Sequence, residues 1–478
     1  MHYCWFDCET TSGNQVQGDI LSISAILTDE TLKIIDQFTY LGRSRKSRMY
    51  LVDSYLVNGL DPFEVDEHEF SNHSLTKKFQ EKFIQWGNKG PIMFCAYNGY
   101  NFDFLLCAHH LFSNLFTWPW IFSTGNARHI DLLPIAQNID YYAPNTLAVE
   151  LNKKNNKTFK LGSLCRMNGF EIKDEHSSMG DTIGLMNLAK LIMNRQPELF
   201  KKNLQYVNKR DVLPAIKDLD FFTFPETFYG RTRQFAGCFI GEHPAYKGYF
   251  LIFDIKHDPE KIFAEKSNLK LSEILFSTPK KIRTIKSNRN PLIMGKEWSN
   301  KFEDEYKKLE TEKLEKRANF VQKNREEIAS RVSLIIEDQL AEKQMNQVDL
   351  LPEQMIFSLN PNHQQKSLMD NFVASKKMEE QIKIHSNFSG PLKNLSELVL
   401  IDEYDKEAFT QNEYKRIRKE ISKRLLSTNK EPYATIPDQM KRIDDLRIGQ
   451  KENKEKLTII ENLNKHISKL AEDHEKYL

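Results

Sequence analysis

The sequence predicts a mixed α/β fold, with strands first and helices interleaved after them, then a small β-rich unit and an all-helical C-terminal third. Three observations predict it. Short apolar runs separated by turns open the chain, a stretch of different character follows residue 200, and from about residue 355 onward the pattern is helical almost throughout. A chain of 478 residues is too long for one core, and roughly 150 residues per domain leads to three domains. Their limits are drawn at 1–199, 200–352 and 353–478.

Taken in order, Tyr3 to Phe6, Ile20 to Leu27 and Leu32 to Tyr40 read as consecutive strands of a meander. Pro91 to Tyr97 reads as a further strand, and Phe102 to Ala108 as a helix start. Between Ser177 and Met193 the residues Met179, Ile183, Met186, Leu188, Leu191 and Ile192 give an amphipathic helix, closed by Pro197. The β-rich unit is suggested by Tyr229 to Phe235 and by the apolar run Tyr249 to Phe253. Glu303 to Leu340 is dense in Lys and Glu, with Leu309, Leu314, Phe320, Ile328, Val332 and Ile335 at helical intervals, so its charges read as a solvated helix face. The helical C-terminal part is interrupted at Pro361, at Gly390-Pro391 and between Pro432 and Pro437.

Composition excludes little. The apolar fraction of 40% and charged fraction of 28% are those of an ordinary soluble protein. Lys and Arg total 68 against 66 acidic residues, so a net charge of +2 neither demands nor forbids a nucleic-acid partner, and only local clusters can speak to one. The start lacks the basic and apolar regions of a signal peptide, and no apolar run approaches a membrane span, so a cytoplasmic location is expected. Cys4, Cys8, Cys95, Cys107, Cys165 and Cys238 contain no Cys-x-x-Cys pair and read as free buried thiols. Cys8 stands between two acids, yet hard cations prefer oxygen, so its thiol is expected to point into the sheet core.

The chemistry lies in three stretches. Cleaving a phosphodiester with two divalent ions needs several carboxylates converging on one point. Asp7-Cys8-Glu9 supplies two, and on a strand of period two both project from one face. Asp405-Lys406-Glu407 and Asp473-His474-Glu475 have the same spacing but read as exposed helical charges; an apolar strand is what distinguishes Asp7. Tyr97-Asn98-Gly99-Tyr100-Asn101-Phe102-Asp103 delivers Asp103 to the first turn of a helix, where the plain reading is a capping residue. His176-Ser177-Ser178-Met179-Gly180-Asp181 puts a histidine before a helix and a carboxylate on its first turns. Each alone is weak, but chance rarely produces the ordered set of five.

That set resembles the three motifs of the DEDDh exonuclease superfamily, and the surrounding chain is similar to the bacterial exodeoxyribonuclease I family. Leu56 to Pro62, Leu188 to Phe200, and Gly241-Glu242-His243-Pro244 with Phe250 to Asp254 carry the narrower match, which thins beyond about residue 260. The resemblance implies an RNase H-like exonuclease domain, an SH3-like second domain and a helical third domain that together enclose a single strand. It implies processive 3′→5′ degradation of single-stranded DNA to nucleoside 5′-monophosphates, in repair or recombination, by a monomer that docks the acidic tail of the single-stranded DNA-binding protein. It further implies two Mg²⁺ ions, with Mn²⁺ as an alternative. Asp7 would bridge both, Glu9 and Asp181 would complete the first site, Asp103 would hold the second partly through water, and His176 would be the general base.

Substrate contacts are expected from Thr10 and Thr11, beside the first carboxylates, and from Asn98, Tyr100 and Phe102, although Phe102 could equally pack in the core. Two basic clusters, Arg43 to Arg48 and Lys280 to Arg289 (with Lys280, Lys281 and Arg283), together with Arg231 and Arg233, could hold backbone phosphates or merely solvate loops. Three rivals stand beside this expectation: an RNA or short-oligonucleotide exonuclease, a catalytically dead binding protein, and a proofreading subunit.

Overall fold

The N-terminal sheet is built about β1 (His2–Thr10), in a computed structural model that describes residues 1–172, 177–301, 304–345, 350–450 and 453–478. The chain divides into two compact units: residues 1–129, 172–186 and 350–478, and residues 130–171 and 187–349. β1 pairs antiparallel with β2 (Ile20–Thr28), which pairs antiparallel with β3 (Ile34–Leu41). On its other side β1 runs parallel to β4 (Ile92–Ala96), and β5 (Ala127–Asp131) completes the order β3-β2-β1-β4-β5. The four strands of this sheet read in the sequence begin within two residues of the starts read there.

β1 is central, so both its faces are covered and it reads as a continuous apolar run until Asp7. Phe6 packs with Phe83, Phe94, Phe104 and Phe122 in one aromatic cluster. Phe83 comes from α1 (Asn72–Gly87), which buries Leu75, Phe79, Phe83 and Trp86 on one stripe and is capped by Ser71. Phe104 comes from α2 (Asp103–Ser113), reached from β4 through a turn in which Asn98 takes φ +59°. Gly99 in that turn has no room for a side chain: a Cβ there would fall 2.5 Å from the Ala96 Cβ and 2.8 Å from the Phe104 ring. α3 (Ser178–Arg195) brings Asp181 in its first turn.

The C-terminal helices Gly390–Tyr404, Gln411–Leu425, Ile436–Gly449 and Lys454–Glu475 bury Ile401, Ile417, Ile443, Ile460 and Ile467 in one core with Leu21, Tyr50, Val52 and Tyr55. Gly390-Pro391 and Pro437 interrupt the pattern because they open helices, the place where a proline's missing N–H is tolerated.

In the second unit, β6 (Phe222–Phe228), β7 (Arg231–Glu242), β8 (Tyr249–Asp254) and β9 (Ile282–Lys286) form an antiparallel sheet in the order β9-β8-β7-β6. The Lys/Glu-rich segment is not one helix: after Asp304–Lys307 it forms Thr311–Lys323 and Arg325–Met345, parted at Asn324. Leu314, Ile328, Val332 and Ile335 are buried in the core of this sheet. All six cysteines are free and buried, and Cys8 lies in the core of the first sheet, as expected. No helix among the described residues is long and apolar enough to cross a membrane.

Gly99→Ala should lower the melting temperature, by an overpacking penalty of roughly 1–3 kcal/mol, measurable by thermal or denaturant unfolding. An unchanged midpoint would mean that the turn has slack the packing does not show.

Candidate functional site

Asp7 and Glu9 leave β1 on the same face, opposite Phe6 and Cys8. Asp181 reaches the same place from α3, and carboxylate oxygens of Asp7, Glu9 and Asp181 lie within 4.8 Å of one another. Asp103, 2% exposed, is near enough to act on Asp7 electrostatically. Burial pushes Asp7 well above the usual carboxylate range, and the charges of Asp103, Glu9 and Asp181 push it further. Glu9 is raised to about 7 by burial and then by Asp181.

This donor set is all carboxylate oxygen, and burial and crowding push Asp7 and Glu9 toward holding their protons. It fits hard divalent cations such as Mg²⁺ or Mn²⁺, whose charge would replace those protons. His176 lies outside the described residues.

The substrate candidates fare unevenly. Thr10 and Thr11 are 7% and 2% exposed, and their hydroxyls serve the loop that follows β1: Thr10 Oγ1 donates to the Ser12 carbonyl at 2.9 Å and Thr11 Oγ1 accepts from Asp19 N at 2.8 Å. They are loop-closing residues. Asn98 sits in the turn before α2, where Asn101 Nδ2 donates to its Oδ1 at 2.8 Å. Tyr100 packs on Phe104 and His129, and Phe102 packs against the aromatic core, the plainer of its two readings.

The basic loop at 43–48 is corrected. Arg45 and Arg48 are buried, both paired with Asp19, and Arg45 also donates to Ser113 Oγ at 2.9 Å. Lys46 Nζ pairs with Asp405 at 3.0 Å. Arg45 and Arg48 therefore fasten the loop to the protein interior, while Lys46 stays exposed beside Asp405.

In the second unit Arg231 and Arg233 are exposed at the start of β7, and Lys280 is exposed before β9. Lys281 Nζ donates to Ser277 Oγ at 3.1 Å. Arg283 pairs with Glu226 and with Asp254 at 3.2 Å, and its guanidinium lies 3.4 Å from the Phe235 ring centre. It is a structural member of the sheet.

Sequence reasoning missed four hydroxyls beside the carboxylates: Ser22, Ser24, Ser178 and Thr182. The signal was the alternation Leu21-Ser22-Ile23-Ser24, two small polar residues of one parity in an apolar strand, but which residues they oppose depends on a register that only the paired sheet reveals.

Fold and site together define a class: a mixed α/β domain with acidic residues on its central strand and at two helix starts, accompanied by a small antiparallel β sheet and a helical C-terminal region. Within that class the chain is similar to bacterial exodeoxyribonuclease I. No family model matches it. It is 25% identical over 246 residues to the exodeoxyribonuclease I of Buchnera aphidicola subsp. Schizaphis graminum, a match covering 50% of either chain. The chain thus spans about half the length of the curated relatives it matches. The structural likeness is longer: exonuclease I from Methylocaldum szegediense superposes with a TM-score of 0.84 at 16% identity, over 98% of this chain and 99% of that one. Escherichia coli exonuclease I in complex with a dA16 oligonucleotide superposes with a TM-score of 0.81 at 15% identity, over the same shares. At such identities the likeness establishes the fold.

A carboxyl whose pKa rises on folding stabilises the protein below its unfolded value, near pH 4.5 for Glu9, and that stability is lost as pH climbs through about 7. In EDTA the melting temperature should therefore fall between pH 5 and pH 8, and Glu9→Gln should flatten that fall, by at most 2 to 3 kcal/mol on the order of the linkage. Thermal unfolding across pH checks this; parallel profiles for wild type and variant would remove the strain ascribed to Glu9.

Proposed function

We propose that this protein is a metal-dependent 3′→5′ exonuclease that degrades single-stranded DNA to nucleoside 5′-monophosphates, with a role in DNA repair or recombination. The observation that carries the reading is the convergence of Asp7, Glu9 and Asp181 oxygens within 4.8 Å, with Asp103 beside them. Likeness to exodeoxyribonuclease I in sequence and fold supports it.

Asp7 would be shared between two cation positions, with Glu9 and Asp181 completing one and Asp103 serving the other. Two divalent ions, Mg²⁺ first and Mn²⁺ as the alternative, would when bound neutralise the phosphate, favour deprotonation of the attacking water and stabilise the leaving 3′ oxygen. His176, placed before α3 by the sequence, would accept the proton of that water on its imidazole. The protein's own contribution is to hold four carboxylates in a fixed array, so that little reorganisation is needed when the phosphate arrives. Asn98 and Tyr100, in the turn that delivers Asp103, and the exposed Arg231, Arg233 and Lys280 are the proposed contacts to the strand. The domain limits 1–199, 200–352 and 353–478, a cytoplasmic location, a monomeric state and docking of the single-stranded DNA-binding protein's acidic tail complete the proposal.

The test is digestion of single-stranded DNA labelled at its 5′ end, beside matched duplex and RNA. Shortening from the 3′ end of the single strand should require Mg²⁺ or Mn²⁺ and vanish in EDTA and in Asp7→Ala. Preference for RNA would change the substrate, and persistence in Asp7→Ala would remove the cluster from the chemistry.

His176→Ala should leave DNA binding and divalent-ion binding nearly intact while turnover falls by about 10²–10⁴-fold. Turnover like that of wild type would exclude His176 as the base.

A further inference from the structure

We infer that Ser178, gripped by Ser22 and Ser24, is a positioning latch that fixes the start of α3 on β2 and thereby sets Asp181 against Asp7 and Glu9. The inference rests on reading those carboxylates as a divalent-cation site.

The register puts the latch beside the cluster. Across the antiparallel pair Ser24 stands opposite Asp7 and Ser22 opposite Glu9. Directly opposed residues project on the same face with Cβ atoms roughly 4.5–5.5 Å apart. The Ser178 hydroxyl bonds to both serines, with its Oγ 2.7 Å from that of Ser24. One turn on, the Thr182 hydroxyl donates to the Ser178 carbonyl at 2.7 Å and reaches the Ser24 carbonyl at 3.3 Å. Helical spacing puts residues 178, 181 and 182 on one face. The residues on either side of the acidic group thus hold the strand that carries no acid, while Asp181 extends to the strand that does.

Capping does not explain Ser178. That task falls to Ser177, whose Oγ accepts from Gly180 N at 3.1 Å and whose carbonyl accepts from Asp181 N at 3.0 Å. Nor are these surface hydroxyls that found partners by chance: Ser24, Ser178 and Thr182 are 0%, 2% and 0% exposed. Ser24 also bonds to Thr39 Oγ1 at 2.8 Å on β3, which fixes its hydroxyl, and the buried Ser178 hydroxyl must be satisfied against that fixed pair, so the bonds select one placement of α3 along β2. Apolar contacts would tolerate a slide of the helix, and a slide of one ångström would move the Asp181 oxygens out of register with Asp7 and Glu9.

The test compares Ser178→Ala and the double variant Ser22→Ala/Ser24→Ala with wild type in three measurements: Mn²⁺ binding by calorimetry, melting temperature in EDTA, and turnover as a function of Mn²⁺. Losing support of this kind weakens metal affinity by about 10- to 100-fold. Both variants should show a loss of that size, a far smaller change in melting temperature than a disrupted core would give, and turnover that recovers toward wild type as Mn²⁺ rises. Wild-type Mn²⁺ affinity in either folded variant would overturn the latch while leaving the cation site standing. Absence of Mn²⁺ binding in wild type would overturn both. Should Ser178→Ala fail to fold, the β2 double variant, which leaves the helix sequence intact, carries the same comparison.

Discussion

Asp7, Glu9, Asp103 and Asp181 repel one another, and in a partly desolvated cleft that repulsion is screened far less than in water, which is why burial and neighbouring charge drive Asp7 and Glu9 toward their protonated forms. Everything nearby has to hold them together against that tendency. The means are apolar and lie next to the acids in the chain or one helical turn away. Phe6 and Cys8 flank Asp7 on β1 and are buried in the core of the opposite face. Phe104, next to Asp103, packs on Phe6 and Phe122. Leu185, one helical turn from Asp181, is 1% exposed. At roughly 1.5–3 kcal/mol for each large side chain buried, these anchors work against that repulsion.

Charge elsewhere in the protein is handled differently. Asp19 accepts Arg45 and Arg48, and Asp254 accepts Arg283, which also pairs with Glu226. In these places a buried carboxylate meets a guanidinium, and removing one partner would strand the other at a cost of about 3–5 kcal/mol. Arg45, Arg48 and Arg283, which look available for phosphate in the sequence, are thus tied into the folded frame. The contrast isolates the acidic cluster: the charges acting on Asp7 and Glu9 are those of other carboxylates.

Much of this was legible in the sequence, and the exceptions share a cause. The strands β1 to β4 and the helices at Asp103 and Asp181 follow from local periodicity and turn chemistry, which one chain displays along its length. The acidic set was readable because its members keep strict local spacings: Asp-x-Glu on a strand and acids at two helix starts. The fates of Arg45, Arg48 and Arg283 were not readable, because they depend on partners such as Asp19, Asp254 and Glu226 that lie 26 to 57 positions away. Phe102 shows the same limit: an aromatic residue beside a motif looks alike whether it faces a base or the core, and here it faces the core. The Lys/Glu-rich segment hid its division at Asn324, since the periodicity on either side continues with little change of phase.

The chemistry of the latch follows from the constraint on the cluster. A helix carrying Asp181 could be held beside β1 by a lysine or an arginine, which would bond to the carboxylates and lower their pKa values. Such a cation would also occupy the oxygens a metal needs and would have to be displaced before one could bind. Apolar packing avoids the competition but leaves the axial placement of the helix loose. Serine and threonine hydroxyls avoid both difficulties: they are neutral, directional and short, and here Ser178 bonds to Ser22 and Ser24, Ser24 to Thr39, and Thr182 to the carbonyls of Ser178 and Ser24, so that none of these bonds draws on a carboxylate. Neutral hydrogen bonds of this kind supply geometry without competing with an ion for the carboxylates, as a lysine or arginine would.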